Sequence, residues 1–307
     1  MPIKLGLNLN PFVNRFAESG NLIDTIAAEI GIGYLQLTHE FINPAWPTAT
    51  IRRLTREMNA ACARHGVKIT SLMTGPYARL NHFGHPDADV REYHLNWFES
   101  LVDIAAALAC PAIGTQYAIL TYRDFDDAAR RQAILSAALD CWRRLAEHAA
   151  KRGLDFLFWE PMSVGRELGH TIASASLLQD QLDRADLAIP MKAMIDVDHG
   201  DVSSPDAADT DPYAWARAFA GRSPIIHIKQ SSADKGGHWP FTEEHNRNGR
   251  IVPEKLIRTI REGGGGDNEL CMELTFRERE PADRNVIRMI RESVEFWRPY
   301  ADAGLRR

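Results

Sequence analysis

Eight short apolar segments, each followed by a longer stretch with helical spacing, alternate strictly along the chain. The apolar segments are 3–9, 34–37, 67–73, 112–116, 154–160, 192–197, 225–230 and 269–274, most of them bounded by Gly, Pro or polar clusters. Helical patterns fall near 20–30, 49–65, 88–109, 126–151, 171–185, 211–220, 253–262 and 283–297. In the fourth of these, Leu135, Leu139, Trp142 and Leu145 recur every three or four residues, which predicts one apolar helix face. Buried strands alternating with such helices predict a parallel α/β sheet, and eight strands close such a sheet into a barrel. The chain therefore reads as one (β/α)8 TIM barrel over 1–307, with a weakly patterned tail at 298–307 that caps the barrel or meets a neighbour. Periodicity alone does not show closure, so an open doubly wound sheet is the alternative. Against it, no GxGxxG follows the first segment, and Gly263-Gly264-Gly265-Gly266 precedes a strand instead of following one.

A chain of 307 residues is normal for one such barrel, and 45% hydrophobic with 25% charged residues is ordinary for a soluble globular protein. The net charge of -5 gives no sign of a general nucleic-acid binder. No apolar run approaches the ~20 residues of a membrane span. The opening Met1-Pro2-Ile3-Lys4-Leu5-Gly6 reads directly as a strand and not as a signal peptide. Cys62, Cys110, Cys141 and Cys271 are scattered without paired spacing, as expected of reduced, mostly buried thiols. A cytoplasmic location follows as the expectation.

Polar residues stand at the ends of the last four predicted strands: Glu160 after LDFLFW, Asp196 after KAMI, His227 within IIHIK and Glu273 within LCMEL. A charged group in such a place is costly unless paired or metal-bound. Taken singly, each is more often a structural ion-pair member. In a barrel, however, the C-terminal strand ends share one catalytic mouth. Three carboxylates and an imidazole converging there repel each other without a cation. Their mixed oxygen and nitrogen donors suit one divalent metal ion, Mn²⁺, Mg²⁺ or Co²⁺, with Zn²⁺ also compatible. The longest irregular stretches, 74–87, 200–210 and 231–252, all follow predicted strands and fall on the same face.

This order of strand-end residues resembles the xylose isomerase-like barrel superfamily of ketose 3-epimerases, hydroxypyruvate isomerases, inosose dehydratases and AP endonucleases. There a Glu ends strand five, an Asp in a DxxH segment ends strand six, a His ends strand seven and a Glu ends strand eight. Glu160, Asp196 with His199, His227 and Glu273 match these positions. Glu160-Pro161 followed by Arg166-Glu167 also resembles the epimerases' strand-five loop, where a second Glu reaches the substrate; the spacing here is slightly stretched. The resemblance implies a metal, Mn²⁺ foremost, that binds a ketose through its carbonyl and neighbouring hydroxyl and acidifies the C–H between them. Glu160 and Glu273 would act as base and acid on opposite faces of a metal-bound enediolate. Asp196 and His227 would hold the metal, and His199 would bind a substrate oxygen. Gln116, ending the fourth strand, is a further candidate contact.

After the seventh strand, HIKQSSADKGGHWPF places Lys229, Ser231, Ser232, Lys235 and His238 together, with Arg247 and Arg250 beyond. Ammonium groups, hydroxyls and exposed backbone N–H groups are what a phosphate monoester needs, although an ordinary solvated loop looks similar. EPMSVGRE and HIKQSSADKGGHWPF also resemble segments of the tetrulose-phosphate 3-epimerases of erythritol catabolism. Free-ketose 3-epimerases carry an Arg soon after the strand-seven His, where this chain has Ser and Ala. The implied substrate is a phosphorylated four-carbon ketose, erythrulose phosphate.

Other readings stay open. An aldose–ketose isomerase, a free-ketose 3-epimerase or a hydroxypyruvate isomerase-like enzyme would use nearly the same residues. An AP endonuclease would need further histidine ligands where Thr74 and Gln116 stand, and a basic face. A noncatalytic sugar-binding barrel would not need both Glu160 and Glu273. Asn8, Asn10, Thr38, His39 and Glu40 follow the first two strands, Trp46, Tyr77, Phe83 and Trp159 either wall the pocket or pack, and the loop pair His82 and His85 usually binds nothing in such a context. The expected partner is a small ketose or ketose phosphate, with no nucleic acid and no membrane. Barrels of this kind often form homo-oligomers, and no sequence patch marks one here.

Overall fold

The computed structural model describes residues 3–233 and 236–305. Lys235, expected to contact phosphate, lies outside the described residues. The strands are β1 (Lys4–Asn8), β2 (Tyr34–Thr38), β3 (Lys68–Met73), β4 (Ala112–Gln116), β5 (Phe156–Glu160), β6 (Met191–Ala193), β7 (Ile195–Asp196), β8 (Ile225–Ile228) and β9 (Glu269–Met272). All neighbours pair in parallel, in the order β6-β5-β4-β3-β2-β1-β9-β8-β7.

The two ends of that order, β6 and β7, are pieces of one chain path broken at Met194. The Met194 N–H donates to the Trp159 carbonyl at 2.8 Å, and the Val197 N–H to the His227 carbonyl at 3.2 Å. Across the break the path changes hydrogen-bonding partner from β5 to β8, and the sheet closes into the expected (β/α)8 barrel. Met73, Ala112, Phe158, Met194, Ile225 and Cys271 form a cluster drawn from around the ring, filling the barrel's interior. The larger apolar core lies between strands and helices.

The helices are α1 (Ser19–Thr25), which runs on as a π-turn over Ile26–Ile30, α2 (Thr48–His65), α3 (Ala88–Ala107), α4 (Tyr122–Asp126), α5 (Ala128–Arg152), α6 (Ile172–Asp183), α7 (Pro212–Phe219), α8 (Glu243–Asn246), α9 (Pro253–Glu262) and α10 (Ala282–Trp297). The helix expected near 126–151 is α5, which the Asp127 side chain starts by accepting from the N–H groups of Ala129 and Arg130; the short α4 precedes it. Gly153 ends α5 at φ 81°, a conformation that suits glycine. The buried face of α5 is also turned from the expected one: Ile134, Ala138, Cys141, Trp142 and Leu145 are buried, while Leu135 and Leu139 are half-buried at its edge.

All four cysteines are free and buried, with Cys110 in the connection before β4. The tail pairs with the chain beside the N-terminal ends of β1 and β2. Asp302 accepts from the Leu5 N–H at 2.8 Å and donates to the Ile3 carbonyl at 2.9 Å, and Ala303 accepts from the Gly33 N–H at 2.7 Å. Among the described residues no helix is long and apolar enough to cross a membrane.

Candidate metal centre and catalytic cavity

The parallel register brings the expected ligands to one level. Glu160 ends β5, Asp196 ends β7, His227 lies in β8 opposite Asp196, and Glu273 follows β9 directly, one residue beyond the strand. One donor atom from each of the four lies within 4.8 Å of the others. His227 Nδ1 is 3.5 Å from Glu160 Oε1 and 3.4 Å from Glu273 Oε2. These three atoms are buried and have no hydrogen-bond partner. Buried polar atoms are almost always satisfied, so three orphans facing one point mark a place built for a cation.

The neighbours prepare these donors. His227 Nε2 lies 2.7 Å from Gln36 Oε1, which also accepts from Asn8 Nδ2 at 2.6 Å. Gln36 Nε2 donates to Ser71 Oγ at 3.0 Å, so the amide is held with its oxygen toward the imidazole. That bond puts the ring proton on Nε2 and leaves Nδ1 as the lone-pair donor, the usual outer support of a metal-binding histidine. Burial opposes charge on His227, but Glu273 outweighs it and holds the pKa well above the ordinary histidine value, so a proton on Nδ1 and a metal ion compete for the same point. Burial likewise opposes ionisation of Glu273, yet His227 and His238 keep its pKa well below the usual carboxylate range. The cluster demands positive charge at its centre. Its donors are hard oxygens and one imidazole, so it fits a divalent ion.

Lys229 is buried and its ammonium contacts Asp196 Oδ2, with His238 Nε2 at 2.8 Å and Glu273 Oε2 at 4.0 Å. Burial lowers its pKa, but Asp196 and Glu273 more than restore it. Beside it, His199 Nε2 is 3.5 Å from Asp196 Oδ2 and His199 Nδ1 is 3.6 Å from Glu160 Oε1; His238 Nε2 is 3.2 Å from Glu273 Oε2. Asp196, His199 and His238 also form a second group of potential donors, into which the Lys229 ammonium projects.

A cavity of about 420 Å³ opens onto this cluster, walled by Glu160, Glu273, His199, His238 and Gln116. Asn10 and Tyr77 line it too, while Asn8 supports Gln36 from the buried side. Phe83 and Trp159 are fully buried in the core, and Trp46 stands exposed away from the cavity. His82 is buried, and its pKa is pushed down to about 3; it belongs to neither potential donor group among the described residues.

The expected phosphate loop looks different in three dimensions. Ser231 Oγ donates to Asp198 Oδ1 at 2.8 Å and accepts from Arg250 Nε at 3.0 Å, and Arg250 pairs with Asp198 as well. Ser232 is not among the residues lining the cavity. Glu167 is buried beneath two arginines, Arg79 at 2.5 Å and Arg166 at 3.1 Å, and neither Glu167 nor Arg166 reaches the cavity wall. Sequence reasoning missed Gln36, Asp198, Arg15 and Arg79. Only Gln36 carried a local signal, as a polar residue inside the apolar run YLQL.

A family model described as xylose isomerase-like TIM barrel matches residues 25–300. A D-erythrulose 1-phosphate 3-epimerase of Brucella abortus (strain 2308) is 59% identical over 304 residues, covering 99% of this chain and 98% of that protein. Among solved structures, a putative xylose isomerase of Rhodospirillum rubrum superposes with a TM-score of 0.87 at 25% identity, over 97% of this chain and 99% of its own. D-psicose 3-epimerase of Clostridium cellulolyticum H10, solved with D-tagatose, gives a TM-score of 0.71 at 16% identity, over 98% of this chain and 100% of its own. With most of its length matched by the family model and a full-length relative at this identity, the chain belongs to the xylose isomerase-like TIM barrel family.

Proposed function

We propose that this protein is a metal-dependent 3-epimerase of a phosphorylated ketose, erythrulose phosphate, acting by two-base proton transfer at C3. The enzyme class follows from the 59% identical epimerase, which makes the chain an isomerase-class enzyme. The observation that carries the chemistry is the convergence of the unpartnered Glu160 Oε1, His227 Nδ1 and Glu273 Oε2 at the floor of the cavity.

Glu160, Asp196, His227 and Glu273 would hold the ion, with Mn²⁺ the first candidate for this donor set. When bound, a divalent ion supplies Lewis acidity toward the ketose oxygens, lowering the pKa of the carbon acid beside the carbonyl. Glu160 and Glu273 each direct one oxygen at the shared point and keep a second. The second oxygen of one glutamate, as carboxylate, takes the C3 proton from one face, and that of the other, as carboxylic acid, gives a proton to the opposite face. The two glutamates suit this because they come from β5 and the end of β9, nonadjacent strands of the ring. His199 and His238 flank the pair and donate to substrate oxygens, and Gln116 adds an amide from β4. The Lys229 ammonium offsets the carboxylate charge and holds Asp196 in place.

Proton NMR of erythrulose phosphate in D₂O, after incubation with Mn²⁺-loaded protein and removal of the metal, tests this. Loss of the C3–H signal with decaying optical rotation is expected. Exchange at C1 with appearance of an aldose would make the enzyme an aldose–ketose isomerase. Metal binding without any exchange would remove the substrate assignment.

A further inference from the structure

Two arginines line the cavity that proton transfer does not require: Arg15, after β1, and Arg79, after β3. Arg15 is largely buried. Its Nε donates to Asp283 Oδ1 at 2.7 Å and its Nη1 to the Pro11 carbonyl at 2.7 Å, while its Nη2 is buried with no partner. A guanidinium nitrogen shut away from water without an acceptor is costly unless a ligand supplies one. Arg79 is half-exposed at the cavity wall and anchored from behind, donating to Glu167 Oε2 through Nε at 3.1 Å and Nη2 at 2.5 Å. That anchor fixes the guanidinium plane through Nε and Nη2 and leaves Nη1 outside the Glu167 pair. The buried amide oxygen of Asn10, on the same wall, lacks a partner too and calls for a donor such as a substrate hydroxyl.

On the β8 side the described cations Lys229 and Arg250 have no unpartnered buried nitrogen, whereas Arg15, although paired with Asp283, keeps Nη2 without an acceptor. Lys229 contacts Asp196, and Arg250 contacts Asp198, which also takes the Ser231 hydroxyl. Neither Lys229 nor Arg250 lines the cavity. Glu278 borders the cavity near Arg15, but its Oε1 accepts from Asn14 Nδ2 at 3.1 Å.

We infer that Arg15 and Arg79 form an anion subsite on the β1–β3 side of the cavity, which takes the phosphate monoester of the substrate. The loop after β8 then serves to position Asp196, through Asp198, whose N–H donates to Asp196 Oδ1 at 2.8 Å. Planar guanidinium forks match phosphate oxygens in geometry as well as charge, so these residues set the preference for a phosphorylated over an unphosphorylated ketose. The assignment of this anion to a substrate rests on the tetrulose-phosphate reading; the subsite itself does not.

Calorimetric titration of inorganic phosphate into the full Mn²⁺-loaded chain tests the subsite directly. Phosphate affinity is expected to fall about tenfold or more in Arg15→Gln and in Arg79→Gln, the loss of charge-assisted hydrogen bonds. It should be partly kept in Arg79→Lys and retained in Ser231→Ala. Arg79→Gln deprives buried Glu167 of a partner; should it fail to fold, Arg15→Gln and Arg79→Lys carry the test. No phosphate binding by the wild type, equal binding in the arginine variants, or loss confined to Ser231→Ala would each overturn the subsite. In turnover, the kcat/KM ratio for erythrulose phosphate over erythrulose should fall by about the same factor, mainly through KM. If phosphate binding depends on the arginines but the wild type exchanges no C3 proton, the subsite stands and the epimerase reading falls.

Discussion

Glu269 and Glu273 sit four residues apart, at the two ends of β9, and their surroundings oppose each other. Glu269 lies at the N-terminal end of the barrel, where a Cβ on Gly6 would fall 2.2 Å from its Oε1, so glycine leaves room for that carboxyl. Burial pushes its pKa up to about 7, and the Thr70 hydroxyl, donating at 2.8 Å, only partly offsets this. Glu273, at the mouth, is held well below the usual range because His227 and His238 outweigh its burial. Burial alone neutralises a carboxyl, whereas burial among cationic neighbours keeps it charged. A buried carboxylate ionised at neutral pH is what both metal ligation and proton abstraction require, and only one end of the barrel provides it.

Glu160→Gln and Glu273→Gln test the mouth and should produce the largest effect. Each is expected to lower turnover by about 10²–10⁴-fold while sugar binding is largely retained, measured as kcat for C3 exchange alongside a direct binding titration. Unchanged turnover in both would remove the two-base mechanism.

Glu269→Gln probes the N-terminal end, and the sign follows from the raised pKa. Between the ordinary value of 4.5 and about 7, the folded chain holds a proton on Glu269 that the unfolded chain releases. Wild-type stability from this group is therefore full at low pH and falls as pH rises through that window. The glutamine variant should melt above wild type at pH 8, by up to about 3 kcal/mol, and alongside it near pH 4.5. Equal melting at both values would mean that Glu269 ionises normally and that the two ends of β9 do not differ.

Gln36→Leu touches the mouth only through His227 and should do least. Losing the bond that keeps the proton on Nε2 should weaken Mn²⁺ binding by about 10–100-fold in a chelator competition. An unchanged affinity would show that the carboxylates alone orient the imidazole.

Amino-acid order by itself determined the alternation of strands and helices and the positions of Glu160, Asp196, His227 and Glu273. Both follow from local rules: apolar period and segment length define the elements, and a charge at the end of an apolar strand is conspicuous because it is costly there. Tertiary structure alone decided which of the described cations face the cavity. Lys229 and Arg250 stand in or near the segment that looked like a phosphate loop, yet the fold carries Asp196 and Asp198, 33 and 52 residues away, onto them. Arg15 and Arg79 lie in unpatterned loops, and they line one cavity because β1 and β3 end at the same mouth. Closure of the ring at Met194 and the Gln36 bond to His227 are likewise long-range. Pairing of charges depends on distance in space, and the local pattern along the chain records only the cost of burying each one.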